Sequence, residues 1–342
     1  MRAPRPAEML PLETADLGAT PYCITRVGFG AWAVGGGDWQ GGWGPQEDAD
    51  SIAAIHRAVA LGVNWIDTAP AYGLGRAEEV VGRAIAQLPA SERPLVFTKC
   101  GLVWAKGGRT VSNVLAPASI RQECDASLRR LGVDVLDLLQ IHWPSDDGTP
   151  LEESWGTMAE LVDEGRVRHI GVSNFDVALL ERCEAIRHID TVQPQLNLIA
   201  RGAAADVIPW ARSHRTGVLV YSPMRSGLLT GAFTPDRVQS LPEDDWRRAD
   251  ADFTEPGLTR NLALVGSMRV VAQRLGCSLP ELAVAWTLAW PGVTAAIVGA
   301  RRPDQVEGWA GATAVRLCAS DLSELGVILR QTGAGNGPTA PG

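Results

Sequence analysis

No apolar run in this 342-residue chain reaches the ~18 residues that a membrane-spanning helix needs, so no membrane partner is expected. Positive charge is scarce as well. Thirty-one Lys and Arg against 39 Asp and Glu leave a formal net charge of -8 and no basic stripe, which argues against a nucleic-acid footprint. Cysteine pairs are missing: Cys23, Cys100, Cys124, Cys183, Cys277 and Cys318 are scattered with no C-x-x-C, so reduced thiols in a cytosol are expected. The opening Met1-Arg-Ala-Pro-Arg-Pro6 has no apolar core of the kind a secretion signal carries. None of the five histidines stands in a metal-ligand spacing, so no metal is expected. No G-x-G-x-x-G follows a strand and opens a helix, which removes the nucleotide fingerprint of open parallel sheets.

What is present is core material: 46% of residues are hydrophobic and 20% charged, as in a globular chain large enough for one big domain. Short β-branched runs alternate with amphipathic stretches. Strands are predicted over 27–31, 63–67, 95–99, 135–142, 167–172, 191–195, 218–221 and 294–298. Helices are predicted over 48–61, 78–87, 119–131, 152–164, 177–187, 204–214, 258–275 and 279–289. Eight strands in one β-then-α series imply a parallel sheet, and eight units in about 300 residues fit a closed (β/α)8 TIM barrel. A doubly wound open sheet is the competitor. The barrel is expected over 24–330, after an N-terminal extension (1–23) and before a Gly/Pro-rich tail (331–342) expected to be disordered. Two long loops break the rhythm, 35–44 and 225–256, and loops of that length usually serve a function or move.

In such a barrel the strands' C-terminal ends share one mouth. Read in order, those ends carry Asp67, Lys99, His142, Ser173-Asn174, Gln193 and Tyr221. Tyr72, one of only three tyrosines, follows Asp67 by five residues in a glycine-rich turn. Each has a bland alternative: an N-capping aspartate, a packed tyrosine, a surface lysine, a satisfied core histidine. Four such accidents on adjacent strand ends are improbable together. The chemistry these four permit is carbonyl reduction. Tyr72 would give a proton to the carbonyl oxygen while hydride reaches the carbon. Lys99, held by Asp67, would lower the phenol's pKa, and His142 would orient the carbonyl.

The run Asp67-Thr-Ala-x-x-Tyr72-Gly, then Lys99, Ile141-His142 and Gly171-Val-Ser173-Asn174-Phe175, strongly resembles the aldo-keto reductases, from about Ile24 to about Ala312. The resemblance implies an NADP(H)-dependent oxidoreductase on a (β/α)8 barrel, with Asp67, Tyr72, Lys99 and His142 as the catalytic tetrad. It also implies that Ser173, Asn174 and Gln193 bind the nicotinamide amide and that Tyr221 stacks on its ring. Ser222, Pro223, Met224, Arg225 and Gly227 then follow along the cofactor, with Arg225 within reach of the pyrophosphate. Gly299, Arg301 and Gln305, around the start of the helix after the last strand, would take the adenosine phosphate, where arginine and helix N–H groups suit a 2′-phosphate. Gly308-Trp309 replaces the Glu-Asn usual at that point, and Trp309 either stacks on adenine or packs.

Tryptophan is abundant, at twelve. Trp65, Trp155, Trp210, Trp286 and Trp290 are expected in barrel packing. Trp32, Trp39, Trp104 and Trp143, joined by Trp43, fall on the mouth side, where an aromatic wall would suit a small-molecule carbonyl with a ring or sugar face. A keto-sugar or aryl aldehyde is the expectation. The resemblance also permits an NADP(H)-binding sensor barrel, since potassium-channel β-subunits share fold and tetrad, or a sugar or polyol dehydrogenase working oxidatively. Oligomeric state is not encoded in these motifs.

Overall fold

Alternation of side chains along the strands decides what the protein buries where. In the computed structural model, which describes residues 11–145 and 147–341, eight parallel strands form a closed barrel. They are β1 (Val27–Gly30), β2 (Trp65–Asp67), β3 (Leu95–Cys100), β4 (Leu136–Ile141), β5 (Val167–Ser173), β6 (Thr191–Gln193), β7 (Gly217–Tyr221) and β8 (Ala295–Gly299). Each pairs with its neighbours in sequence, and β8 pairs with β1 to close the ring. One set of residues, including Val96, Leu139, Val172 and Val220, faces outward into the large core beneath the helices. The alternate set faces inward, and its lower layer is apolar: Trp65, Phe97, Leu138, Leu219, Ala295 and Ile297, with Leu17 and Ile24.

Two residues further along those strands the inward set turns polar, and this places the site. From Trp65 the period of two leads to Asp67, from Phe97 to Lys99, from Leu138 to Gln140 and from Leu219 to Tyr221. The apolar layer beneath them shuts bulk water out from below. Helices α1 (Asp48–Ala60), α2 (Arg76–Ala86), α3 (Pro117–Leu131), α4 (Leu151–Asp163), α5 (Val177–Glu184) and α6 (Val207–His214) cover the sheet between successive strands. After β7 come the short α7 (Pro235–Gln239), α8 (Gly257–Leu275) and α9 (Leu279–Leu288); α10 (Pro303–Ala310) and α11 (Ala319–Thr332) follow β8.

Three features differ from the sequence expectations. Within the stretch read as an extension, Thr14–Asp16 pairs antiparallel with Cys23–Thr25, and Leu17 and Ile24 are fully buried in the inner apolar layer; residues 1–10 of that stretch lie outside the described residues. The hairpin plugs the lower end of the barrel. A second small hairpin, Leu102–Val103 with Ser112–Asn113, rises from the end of β3. The tail expected to be disordered is ordered over its described residues: α11 continues to Thr332, Ala334 is buried, and Asn336 exchanges backbone hydrogen bonds with Ile199 and Arg201. Backbone pairing holds this segment, and composition does not report backbone pairing.

Candidate active site

Lys99 and Asp67 form a buried ion pair at the base of the mouth, Nζ to Oδ1 2.6 Å, and Lys99 also donates to the Thr68 carbonyl at 3.0 Å. Gln193 donates from Nε2 to the other carboxylate oxygen at 2.8 Å. The pair therefore has hydrogen-bond partners on both oxygens, as a charge removed from water requires. Burial pulls the Lys99 ammonium below its ordinary pKa, and Asp67 opposes that shift.

Tyr72 sits above this pair, its ring centroid 5.4 Å from Lys99 Nζ. The turn that carries it is locked by a close backbone approach. A Cβ on Gly73 (φ 64°) would stand 2.2 Å from the Gly35 carbonyl oxygen, so the first long loop can dock there only against glycine. The edge of His142 meets the tyrosine ring at 5.6 Å between centroids and 79° between planes. Burial, then the Lys99 charge, holds His142 well below pKa 6.5, which leaves it neutral at physiological pH. The tyrosine departs from expectation. Burial first, then the charge of Asp67, pushes the Tyr72 phenol well above 10, so the effect expected of Lys99 does not prevail. Tyr72 is thereby kept as the protonated, donor form.

A fixed array of amides continues around the mouth. Tyr221 donates its hydroxyl proton to Asn174 Oδ1 at 2.8 Å. Asn174, held at φ 63°, donates to the His142 carbonyl and to Ser173 Oγ, each at 3.0 Å. Ser173 in turn donates to the Gln193 backbone carbonyl at 2.9 Å.

These residues border one cavity of about 870 Å³. Asp67, Tyr72, His142, Ser173, Asn174, Gln193 and Tyr221 line it, as do Ser222, Pro223, Met224, Gly227, Gly299, Arg301 and Gln305; Lys99 lies beneath. Gln305 accepts from the Arg301 backbone N–H at 2.7 Å, and Arg301 Nε donates to Gln46 Oε1 at 2.7 Å. Of the tryptophans expected at the mouth, Trp32, Trp39, Trp43 and Trp143 line the cavity. Trp309, fully buried, also forms part of the wall. Trp65, Trp155, Trp210, Trp286 and Trp290 are buried in packing.

Two expected residues are elsewhere. Trp104 does not line the cavity: Leu102 and Val111 of the small hairpin do, and the strand ends at Val103, before the alternation could bring Trp104 back inward. Arg225 does not line it either. Asp250 takes its terminal nitrogen at 2.8 Å and Asp252 its Nε at 2.5 Å, so the guanidinium pins the 225–256 loop to itself.

Sequence reasoning missed Phe233, Arg237 and Arg247, which line the cavity from that loop. Arg237 and Arg247 lie 4.8 and 5.5 Å from the Phe233 ring centroid, and Arg247 also lies 4.9 Å from that of Trp43. The only available signal was their place in a long loop after a strand end. A cavity with three lining guanidiniums, aromatic walls and open amide groups fits a dinucleotide, whose phosphates need cations and whose base and ring need flat apolar faces.

The fold and this geometry agree with the comparisons. The Aldo/keto reductase family profile matches residues 26–329, and the chain belongs to that family. It is 36% identical over 322 residues to the aldo-keto reductase YhdN of Bacillus subtilis, covering 94% of this chain and 95% of that one. It is 34% identical over 323 residues to an NADH-specific methylglyoxal reductase of Escherichia coli, covering 91% and 97%. Among solved structures, the glycerol dehydrogenase AKR11B4 of Gluconobacter oxydans superposes with a TM-score of 0.86 at 36% identity, covering 94% of this chain and 97% of that one.

Proposed function

We propose that the protein reduces an aldehyde or ketone to the alcohol with NADPH, with Tyr72 as proton donor, and that its substrate carries a ring or sugar face. The observation that carries this reading is the state of Tyr72: a phenol raised well above pKa 10, half-buried in the cavity wall beside a neutral imidazole. Its hydroxyl makes no hydrogen bond to the described residues, so its proton is free to face a substrate oxygen.

The dinucleotide, when bound, supplies the hydride. Tyr72 donates its proton to the carbonyl oxygen as negative charge develops there. Lys99, fixed by Asp67, keeps a positive charge 5.4 Å from the ring and stabilises the phenolate left behind. Neutral His142 holds the carbonyl oxygen by hydrogen bonding without competing as an acid. Trp32, Trp39 and Trp143 give the substrate an apolar wall and exclude water. NADPH is favoured over NADH by Arg301 in the cavity wall and by the crowding of Arg247 and Arg302 near it. The Gluconobacter neighbour is a glycerol dehydrogenase, which favours a second reading in which the same site oxidises a polyol.

Carbonyl-dependent loss of the reduced nicotinamide absorbance, over aldehydes, quinones and keto-sugars with NADH in parallel, tests the reading. Turnover that is fastest with NADPH and cyclic or aromatic carbonyls supports it. Turnover only with NAD(P)+ and polyols gives the oxidative reading instead. Tight cofactor binding without turnover in either direction overturns both.

A further inference from the structure

Gln140 belongs to the polar layer of the barrel interior, yet it does not line the cavity and the chemistry above does not use it. It is fully buried on β4, opposite Lys99 in the strand register. A buried amide in a barrel interior costs free energy where its groups are unpaired; Gln140 Nε2 has no hydrogen-bond partner among the described residues, so the contacts of its oxygen are what tie it to the site. Its Oε1 faces two donors: Thr191 Oγ1 at 3.3 Å and, in a long contact, Gln193 Nε2 at 3.5 Å.

Those contacts settle the orientation of Gln193. A primary amide nitrogen has two protons. On Gln193, one is taken by Asp67 Oδ2 at 2.8 Å and the other points at Gln140 Oε1. Both protons are committed below the cavity floor, so the carbonyl Oε1 is the group Gln193 has left. That oxygen has no hydrogen-bond partner among the described residues and is not among the fully buried unpartnered atoms. A flipped amide would set its oxygen against a carboxylate and a second carbonyl, two acceptor-on-acceptor contacts. Thr191 holds Gln140 in place, and the space for its hydroxyl is itself specified: a Cβ on Gly171 would stand 2.1 Å from Thr191 Oγ1.

We propose that Gln140 is a positioning residue for the cofactor site. Together with Thr191 and Gly171 it locks the Gln193 amide so that an acceptor faces the cavity and selects a ligand carrying an N–H, the nicotinamide carboxamide. The inference rests on the nicotinamide-dependent reading above.

The test compares two probes by quenching of tryptophan fluorescence: NADP+ and its 3-acetylpyridine analogue, which has a methyl in place of the carboxamide NH2. The wild type binds the analogue roughly tenfold more weakly, the worth of one hydrogen bond to an otherwise unpaired acceptor. In Gln140→Met, close in shape but without the acceptor, the second Gln193 proton loses its partner, the amide is held by Asp67 alone and the ratio falls. Gln140→Glu, whose buried carboxylic acid keeps an acceptor oxygen, restores the ratio. Thr191→Val moves it in the same direction as Gln140→Met and carries the test if that variant fails to fold. A ratio unchanged in a folded Gln140→Met or Thr191→Val overturns the proposal and leaves the reductase reading standing. A wild type that binds neither probe overturns the nicotinamide-dependent reading itself.

Discussion

Trp246 lies parallel to Trp32, with ring centroids 5.5 Å apart and planes 17° apart, and Trp32 in turn lies 6.2 Å from Tyr72 at 25°. The stack ties the 225–256 loop to the residues just before the first long loop. Trp43 meets Trp246 edge-on at 5.7 Å, and Arg247 reaches over Trp43. The 225–256 loop is thus strapped to the first loop across the mouth, above the proposed proton donor. A stacked aromatic pair is worth ~0.5–1.5 kcal/mol beyond its buried area. Trp246→Ala is therefore expected to speed cofactor release roughly twofold to tenfold, read by stopped-flow fluorescence. An unchanged release rate would mean that the strap does not gate the cofactor.

Tyr72→Phe keeps the ring that packs on Trp32 and His142 and removes only the proton. Carbonyl reduction is expected to fall by ~10²–10⁴ with cofactor affinity unchanged. The pH dependence follows from the two shifts. An acid raised well above 10 stays protonated until the solution passes its folded pKa, and a base held well below 6.5 stays neutral down to its own. The free enzyme should hold one level of kcat/KM from pH 6.5 to 10. A descending limb between pH 7 and 9 would show that Tyr72 ionises there and that Lys99 prevails over burial after all.

Much of this was legible because the barrel writes its site in a period of two. The apolar runs ending at Asp67, Lys99, His142 and Tyr221 change character where the interior meets the mouth, and sequence records that change directly. Long-loop residues had no such ruler. Trp246 and Arg247 come from a segment without periodicity, and only tertiary docking brings them to Trp32 and Trp43. Arg225 looked free for phosphate because its partners, Asp250 and Asp252, lie far along the chain. The direction of the Tyr72 shift was missed for a related reason: residue types show which charges are near but not how deeply the phenol is desolvated.

Lys99 and Asp67 are each expected to be costly to remove alone. Lys99→Met leaves a buried carboxylate held only by Gln193, and a loss of ~3–5 kcal/mol in unfolding free energy is expected. Adding Asp67→Asn should return most of that stability without restoring turnover. Urea unfolding of the single and double variants checks this. A single variant as stable as the wild type would show that water reaches the pair.

Glu123 gives stability its own pH dependence, away from the reaction. It accepts from the Gly101 backbone N–H at 2.9 Å and from Ser119 at 3.1 Å, holding the end of β3 to α3. Burial lifts it from 4.5 to about 7. Between these values the folded chain keeps a proton that the unfolded chain has lost, so stability falls as pH rises from 4.5 through 7 and levels off above. The fall is expected to be of order 1–3 kcal/mol, and Glu123→Gln should flatten it. Urea midpoints at pH 5 and pH 8 for both proteins decide the matter; equal slopes in the two would assign the titration to another group.

Arg301 is where cofactor preference is expected to be set. Its Nε is held by Gln46 Oε1 and a terminal nitrogen by the Pro45 carbonyl, so the guanidinium is fixed before any ligand arrives. Burial, then the charges of Arg302 and Arg247, lowers its pKa, which means that three cations crowd a region with little water to screen them. Arg302 is relieved by Asp304 on the surface, at 3.2 Å. Among the described residues Arg301 has only neutral partners, and an anion in the cavity would relieve it. If that anion is the 2′-phosphate, Arg301→Ala should cut the ratio of kcat/KM for NADPH over NADH roughly ten- to hundredfold, the worth of a charged hydrogen bond. Equal losses with both cofactors would place Arg301 on the pyrophosphate that they share. A preference for NADH in the wild type, as in the Escherichia coli relative, would mean that Gln46 and Pro45 hold the guanidinium too firmly to serve a phosphate at all.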